Sequence, residues 1–134
     1  MILISHRGNL NGRLPNRENE PDYIDEAITQ GYSVEIDMRV TGRDIWLGHD
    51  NSQYQIDLPW LQGRKNYLWI HCKNREAFDF CLKNNLHCFW HDTDDYTMTS
   101  YGYVWAYPGK FSVGTMCIMV MPELHWPVDL IKHQ

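Results

Sequence analysis

The sequence has no long apolar run and no surplus of basic side chains. No stretch approaches the roughly 20 apolar residues that cross a bilayer, which predicts a protein without a membrane span. Seventeen acidic residues against twelve basic ones give a formal net charge of −5. That balance disfavours nucleic acid as a partner, because binding a phosphate backbone requires many Lys and Arg side chains. The first residues also lack the charged and apolar regions of a signal peptide, so we expect a cytoplasmic location.

The sequence lacks closely paired cysteines. The four are Cys72, Cys81, Cys88 and Cys117, and none of them forms a CxxC pair. Zinc-ribbon and thioredoxin chemistry depend on such close pairs and are therefore disfavoured. Reduced thiols in a cytosolic protein are the simplest interpretation.

The chain does contain enough apolar material for one folded domain over residues 1–134. Its hydrophobic fraction is 43%, and its 6 Trp and 8 Tyr argue against disorder. Apolar runs and turn residues predict the order β-α-β-β-β-α-β-β-β-β, with some parallel pairing because two strand–helix–strand units occur. We expect strands at 2–5, 32–40, 45–47, 67–72, 86–90 and 115–121, a strand pair within 97–106, helices at 21–30 and 75–83, and irregular chain at 51–66.

Several predicted strands end in ionisable residues. These residues are His6, His49, Lys73, His91 and Glu123. Ligands bind at the carboxyl ends of strands in barrels and in open α/β sheets. The repeated arrangement therefore predicts that these side chains converge on one site.

Glu35 and Asp37 are two residues apart on a predicted strand, so their carboxylates face the same side. Two carboxylates on one face repel each other, and burying them is unfavourable. A bound hard cation such as Mg²⁺ or Ca²⁺ would resolve this conflict, since both prefer oxygen ligands. An ordinary acidic, solvent-facing strand is the alternative interpretation of this pair.

Two histidines and two cations suggest phosphoryl chemistry. His6 and His49 could act as general base and general acid. Arg7 could grip a phosphate oxygen, and Lys73 could stabilise negative charge that develops on phosphorus. Each of these residues alone is more often an ordinary surface side chain.

Taken together, these residues resemble a known signature. The matching positions are His6-Arg7-Gly8, Glu18-Asn19, Ala27, Gly31, Glu35-Ile36-Asp37, Thr41, Asp44 and His49-Asp50. Their order and spacing are similar to the N-terminal signature of the glycerophosphodiester phosphodiesterase family. The likeness covers about the first 50 residues and continues more loosely to Lys73. The wider superfamily includes phosphatidylinositol-specific phospholipase C and the spider-venom sphingomyelinase D enzymes.

The resemblance implies a fold, a reaction and a role for each matching residue. The fold would be a TIM-type (β/α) barrel, and the substrate would be a small phosphodiester such as a glycerophosphodiester. His6 and His49 would be the acid/base pair, and Arg7 would bind phosphate. Glu35 and Asp37 would hold a divalent metal ion, while Glu18 would join the metal site or orient His6 and Arg7. Asp50 would orient His49 or cap the following turn, and cleavage would pass through a cyclic phosphate.

The sequence departs from this family in two respects. His71 stands where the family carries a further acidic metal ligand. Imidazole prefers softer metals than Mg²⁺ or Ca²⁺, so either the ion is Mn²⁺ or Zn²⁺ or His71 does not coordinate it. Mg²⁺ or Ca²⁺ is the first expectation, and Mn²⁺ or Zn²⁺ the alternative that His71 introduces. With 134 residues, the chain is also shorter than the roughly 200 to 250 residues of a complete barrel. We therefore expect a reduced or incomplete barrel that lacks several crossover helices. A homodimer that covers exposed strand edges is a further expectation.

Two residues of the C-terminal half are further substrate-binding candidates. His91 follows a predicted strand and could contact a substrate headgroup, and Trp105 could line a pocket, although strand aromatics are more often core. Three functional hypotheses remain open. The first is an active phosphodiesterase, the second a phosphate- and metal-binding protein of the same fold that has lost turnover, and the third a structural zinc protein.

Overall fold

The computed structural model describes residues 2–91 and 93–106 in full and residues 117–119 for their backbone alone. The strands are β1 Ile4–His6, β2 Ser33–Thr41, β3 Asp44–Leu47, β4 Tyr54–Ile56, β5 Leu68–Cys72, β6 Cys88–Phe89, β7 Tyr96–Met98, β8 Val104–Ala106 and β9 Cys117–Met119. The α-helices are α1 Pro21–Thr29, α2 Leu58–Gly63 and α3 Arg75–Lys83, and a 3₁₀ turn covers Lys65–Tyr67. The predicted helices at 21–30 and 75–83 are confirmed. The prediction of irregular chain at 51–66 is wrong, since β4, α2 and the 3₁₀ turn occupy that stretch.

A six-stranded sheet is built around β2. Its strands run in the order β4-β3-β2-β5-β6, and β1 also pairs with β2. β2 is parallel to β1 and β5 and antiparallel to β3. On one edge, the first residues of β2 pair with β1 and its last four pair with β3. The ends of β1 and β3 therefore meet along the middle of β2.

The two faces of β2 differ in chemistry, as the sequence alternation predicts. Val34, Ile36 and Met38 are fully buried in the main apolar core. Helices α1 and α3 cover that face, because the same core contains Ile24 and Ala27 of α1 and Ala77 and Cys81 of α3. The opposite face carries the acidic residues of β2. The helices thus leave one face of the sheet to form the candidate site.

A second sheet contains β7, β8 and β9, with β7 antiparallel and β9 parallel to β8. The aromatic residues Trp69, Phe89 and Trp105 pack together as a second, smaller apolar cluster. The fold is mixed α/β with a mainly β-sheet core, and the strands that the structure describes do not close into a barrel. Among the described helices, none has the length and apolar character needed to cross a membrane.

Candidate functional site

Two chain segments approach the middle of β2 from opposite directions. The backbone N–H of Arg7, after β1, donates to the carbonyl of Glu35 at 2.9 Å. The backbone N–H of Gly48, after β3, donates to the carbonyl of Asp37 at 3.0 Å. Glycine is required at 48, because φ is +149° and a Cβ would lie 1.9 Å from the Asn51 carbonyl oxygen. These two hydrogen bonds bring His6-Arg7, at the end of β1, and Gly48-His49, after β3, to the middle of β2.

Glu35 and Asp37 are buried on the same face of β2, with 2% and 0% of their surface exposed. Among the described residues, Glu35 Oε2 and Asp37 Oδ1 have no hydrogen-bond partner. Burial and the neighbouring charge of Asp37 raise the pKa of Glu35 well above its usual range. A proton or a cation must therefore compensate this pair, because two buried and ionised carboxylates are strongly unfavourable.

His71, on β5, completes a compact group with these two carboxylates. Its Nδ1 lies 3.2 Å from Asp37 Oδ1 and 3.8 Å from Glu35 Oε1. Its Nε2 lies 3.1 Å from the backbone carbonyl of His91, so we assign the ring proton to Nε2. The Nδ1 atom faces both carboxylates, so this position needs either a proton on Nδ1 or a cation between the three groups.

The second oxygen of Asp37 is held by protein groups. Asn19 Nδ2 donates to Asp37 Oδ2 at 2.9 Å, while the Asn19 side-chain oxygen accepts from the Asp37 backbone N–H, also at 2.9 Å. Arg7 Nε lies 3.0 Å from the same Oδ2. Burial acts to raise the pKa of Asp37, but His71, Arg7 and Asn19 together outweigh burial and hold that pKa below its usual range. Asp37 is therefore the ionised member of the pair.

Glu18 lies beside Arg7 rather than within the group of Glu35, Asp37 and His71. Its Oε1 is 3.3 Å from Arg7 Nη1, and its Oε2 accepts from Asn9 at 2.8 Å and from Arg13 at 3.2 Å. Arg7 itself has a φ of +58°, which is uncommon for a residue with a side chain. These contacts fit the predicted orienting role of Glu18 better than a role as metal ligand.

The two histidines lie at the rim of the buried group. His6 Nε2 is 3.5 Å from Glu35 Oε2, and burial together with the charge of Arg7 lowers the pKa of His6 to about 4. The charge of His49 also contributes to this shift. His49 is 40% exposed at its side chain, and its Nδ1 lies 2.7 Å from Asp50 Oδ1. Asp50 therefore orients His49 with Nε2 left available.

Lys73 and Arg39 flank this arrangement. The backbone N–H of Lys73 donates to the Met38 carbonyl at 2.8 Å, and the Lys73 charge acts to lower the pKa of Glu35. Arg39, on β2, donates from Nη1 to the Gly48 carbonyl at 2.9 Å and from Nη2 to the His49 carbonyl at 3.2 Å. No sequence signal singles out Arg39, since its partners are backbone oxygens nine and ten residues away.

The C-terminal substrate-binding candidates are placed less favourably. Trp105 is only 6% exposed and stacks on Phe89 at 4.5 Å between ring centroids, so its environment is that of a core residue. The backbone carbonyl of His91 accepts from His71, and the two rings lie 6.3 Å apart. Glu123 lies outside the described residues. His91 thus adjoins the group, while Trp105 belongs to the aromatic core.

The donor set of Glu35, Asp37 and His71 fits a divalent metal ion. One ligand atom from each lies within 4.8 Å of the others. The two unpartnered oxygens and the Nδ1 lone pair are the atoms that a metal ion would satisfy. A mixture of carboxylate oxygen and imidazole nitrogen suits Zn²⁺, or Mn²⁺ among the harder ions, better than Mg²⁺ or Ca²⁺.

A second group was not foreseen. The sulfur atoms of Cys72, Cys81 and Cys88 also lie within 4.8 Å of one another. Their sequence separations of nine and seven residues match no close-pair motif, and only the packing of α3 on β5 and β6 brings them together. Alternation on β5 would have placed Cys72 on the helix-covered face, but no signal in the sequence indicated convergence.

Comparisons of the chain with protein-family models, with curated proteins and with solved structures give no match in any of the three.

Proposed function

We propose that this chain is a metal-dependent phosphodiesterase built on a reduced (β/α) barrel. The observation that carries the proposal is His6 beside the buried carboxylate of Glu35, with His49 next to Gly48, whose backbone N–H bonds the Asp37 carbonyl. If Glu35 and Asp37 had a purely structural role, neither His6 nor His49 would be needed near them. The parallel arrangement of β1, β2, β5 and β6 supports the reduced barrel.

The two histidines differ in a way that suits opposite proton transfers. His6 has a pKa of about 4 and is neutral at pH 7, so it can accept the proton of an attacking hydroxyl. His49 is oriented by Asp50 and is more exposed, which suits proton donation to the leaving alcohol. Arg7 and Lys73 supply positive charge beside the phosphate. In the proposed reaction a substrate hydroxyl attacks phosphorus, the alcohol leaves, and a cyclic phosphodiester forms.

A divalent metal ion held by Glu35, Asp37 and His71 would neutralise the non-bridging phosphate oxygens. The chain's own contribution is to orient these ligands. Asn19 fixes the Asp37 carboxylate, and the His91 carbonyl fixes the ring of His71. Because one ligand is an imidazole, we propose Mn²⁺ or Zn²⁺ as the preferred ion rather than Mg²⁺ or Ca²⁺. The substrate class is a small glycerophosphodiester-like molecule.

Phosphorus NMR on a panel of phosphodiesters, with Mn²⁺, Zn²⁺, Mg²⁺ or Ca²⁺ added separately, tests this proposal. We expect turnover of a glycerophosphodiester with Mn²⁺ or Zn²⁺ and none after chelation. The variants His6→Gln and His49→Gln should each lower kcat by about 10²- to 10⁴-fold, the range for general acid/base groups. Asp79→Asn, which changes a 66% exposed carboxylate on α3, is the matched control and should keep full activity.

The outcomes separate the competing functions. Near-normal activity of either histidine variant would remove the acid/base assignment. Phosphodiester binding without turnover under every metal would favour the binding protein that has lost catalysis.

Location and assembly are also proposed. A cytoplasmic location agrees with the reduced, buried thiols of Cys72, Cys81 and Cys88. Homodimerisation would cover the outer edge of β4, the terminal strand of the described sheet, and a monomer by light scattering would refute it.

A further inference from the structure

Three cysteine side chains from three different elements point to one place in the core. Cys72 ends β5, Cys81 lies in the last turns of α3, and Cys88 begins β6. Cys72 Sγ and Cys81 Sγ are 3.9 Å apart, and all three sulfurs lie within 4.8 Å of one another. Each residue is at most 1% exposed. The sulfurs thus form a compact, solvent-free triangle.

We propose that Cys72, Cys81 and Cys88 form a buried site for one thiophilic d¹⁰ cation, either Zn²⁺ or Cu⁺. Thiolates are the preferred ligands of both ions. A metal–sulfur bond of about 2.3 Å separates neighbouring sulfurs by about 3.8 to 4.0 Å. The 3.9 Å separation of Cys72 and Cys81 already has this value. Closing the triangle around an ion requires shifts of less than about 1 Å, within reach of small χ1 adjustments.

Packing by itself gives a weaker account of this cluster. Cysteine is often buried as a small apolar residue, so three buried cysteines are separately unremarkable. That role would be served equally by Ala or Val at each position and does not require the sulfurs to meet. Convergence from a strand, a helix and a second strand is what a metal site needs. On binding, each of the three thiols releases its proton, and three metal–sulfur bonds form.

The trithiol cluster is separate from the carboxylate group. His71 and Cys72 are adjacent on β5 and therefore face opposite sides of the sheet. His71 faces Glu35 and Asp37, whereas Cys72 faces Cys81 of α3. The proposal consequently does not depend on phosphodiesterase activity. Within the described residues, no fourth His, Cys, Asp or Glu side chain joins the cluster. Zn²⁺ in structural sites prefers four ligands, so a three-coordinate site suits Cu⁺ more readily than Zn²⁺.

Refolding with metal tests the proposal, since the three cysteine side chains are buried in the folded chain. The full-length reduced chain is refolded with Zn²⁺ alone or Cu⁺ alone, in the Asp37→Asn background so that the carboxylate group does not compete. We expect one bound equivalent, an ultraviolet thiolate-to-metal charge-transfer band, and a higher thermal midpoint than in the metal-free protein. Whichever of Zn²⁺ and Cu⁺ binds more tightly is the ion of the site.

Cys81→Ala in the same background is the decisive variant, because α3 contributes no residue to the carboxylate group. It should lose the charge-transfer band and bind the ion at least about 100-fold more weakly. Unchanged affinity in this variant, or absence of the band in the Asp37→Asn protein, would overturn the proposal. If Cys81→Ala does not fold, the rate of thiol alkylation in the Asp37→Asn protein is measured instead. Bound metal should slow alkylation of Cys72, Cys81 and Cys88 under mild denaturant. Equal alkylation rates with and without metal would also overturn the proposal.

Discussion

Several residues shape the site without being candidates for chemistry. Arg39 reaches from β2 to the carbonyls of Gly48 and His49, so its guanidinium holds the loop on which His49 is mounted. Asn19 uses both ends of its amide on Asp37, one on the carboxylate and one on the backbone N–H. Arg39 thus holds the backbone of His49 in place, and Asn19 holds the carboxylate of Asp37.

Replacing Arg39 by Lys tests the first of these contacts. Lysine keeps the charge but cannot span two carbonyls with a planar fork, so the loop of His49 should lose its fixed position. We expect kcat on the phosphodiester substrate to fall by about 10- to 100-fold, the size of effect that small misplacements produce. KM should change little. Arg43→Lys, in the exposed hairpin turn, is the matched control, and equal kcat values for the two variants would contradict the role of Arg39.

Replacing Asn19 by Ala tests the second contact. The change leaves one Asp37 oxygen and the Asp37 N–H without their amide partner in a buried setting. The free energy of unfolding should fall by about 1 to 3 kcal/mol, the penalty for unsatisfied buried polar groups. Urea denaturation in a chelating buffer measures this loss. Asn11→Ala, at an exposed loop position, should have no comparable effect.

At the scale of elements, Asn74 joins α3 to the end of β2. Its Oδ1 accepts from the Ala77 N–H at 2.9 Å as an N-cap and also from the Val40 N–H at 3.3 Å. Its Nδ2 donates to the Val40 carbonyl at 3.0 Å. One side chain therefore begins the helix and extends the hydrogen bonding of the central strand.

A comparison of two N-caps tests this double function. Asp57 caps α2 through a single bond to the Trp60 N–H at 2.9 Å. Asp57→Ala should cost about 1 kcal/mol of unfolding free energy, a typical cap value. Asn74→Ala should cost more, about 2 to 3 kcal/mol, because the Val40 groups also lose a partner. Equal losses in urea denaturation would show that the contact with Val40 adds nothing.

The elements that the sequence predicted well carry strong local signals. Pro21 at the start and Gly31 after the end bound α1, and the turn at Thr41–Asp44 joins two clearly patterned strands. Helix α2 was not predicted because six residues are too few to show a helical period, although Asp57 before Leu58-Pro59 is an N-cap signal. Among site residues, Glu35, Asp37, His6 and His49 followed from residue type and strand position. Asn19, Arg39 and the three clustered cysteines act through contacts that only the folded chain defines.

For the molecule as a whole, buried histidines tie stability to pH. Burial lowers the pKa of His87 to about 4, and the side chain stacks on Tyr101 with 4.2 Å between ring centroids. The unfolded chain, with a histidine pKa near 6.5, binds more protons below that pH than the folded chain does. Protonation therefore removes stability as pH falls from about 6.5 to about 4, by up to about 3 kcal/mol.

The variant His87→Gln isolates this effect. The raised pKa of Glu35 changes stability with pH in the opposite direction, but Glu35 is present in both proteins and its contribution cancels. At pH 7 the wild type should be the more stable, because His87 bonds Thr99 Oγ1 at 2.8 Å. As pH falls to 4.5, we expect that advantage to shrink or reverse. Urea midpoints at several pH values in chelating buffer measure it, and an advantage that stays constant would contradict the prediction.

Strand β5 separates two chemically opposite sets of ligands. His71 faces the carboxylates of Glu35 and Asp37, while Ile70 and Cys72 face the helix-covered core. Because side chains alternate, a slip of β5 by one residue would exchange these sets and place a thiol beside the carboxylates and an imidazole beside α3. The register of this single strand, pinned by the Asp37–His71 pairing, therefore decides which face of the sheet carries the carboxylates and imidazole and which carries the thiols.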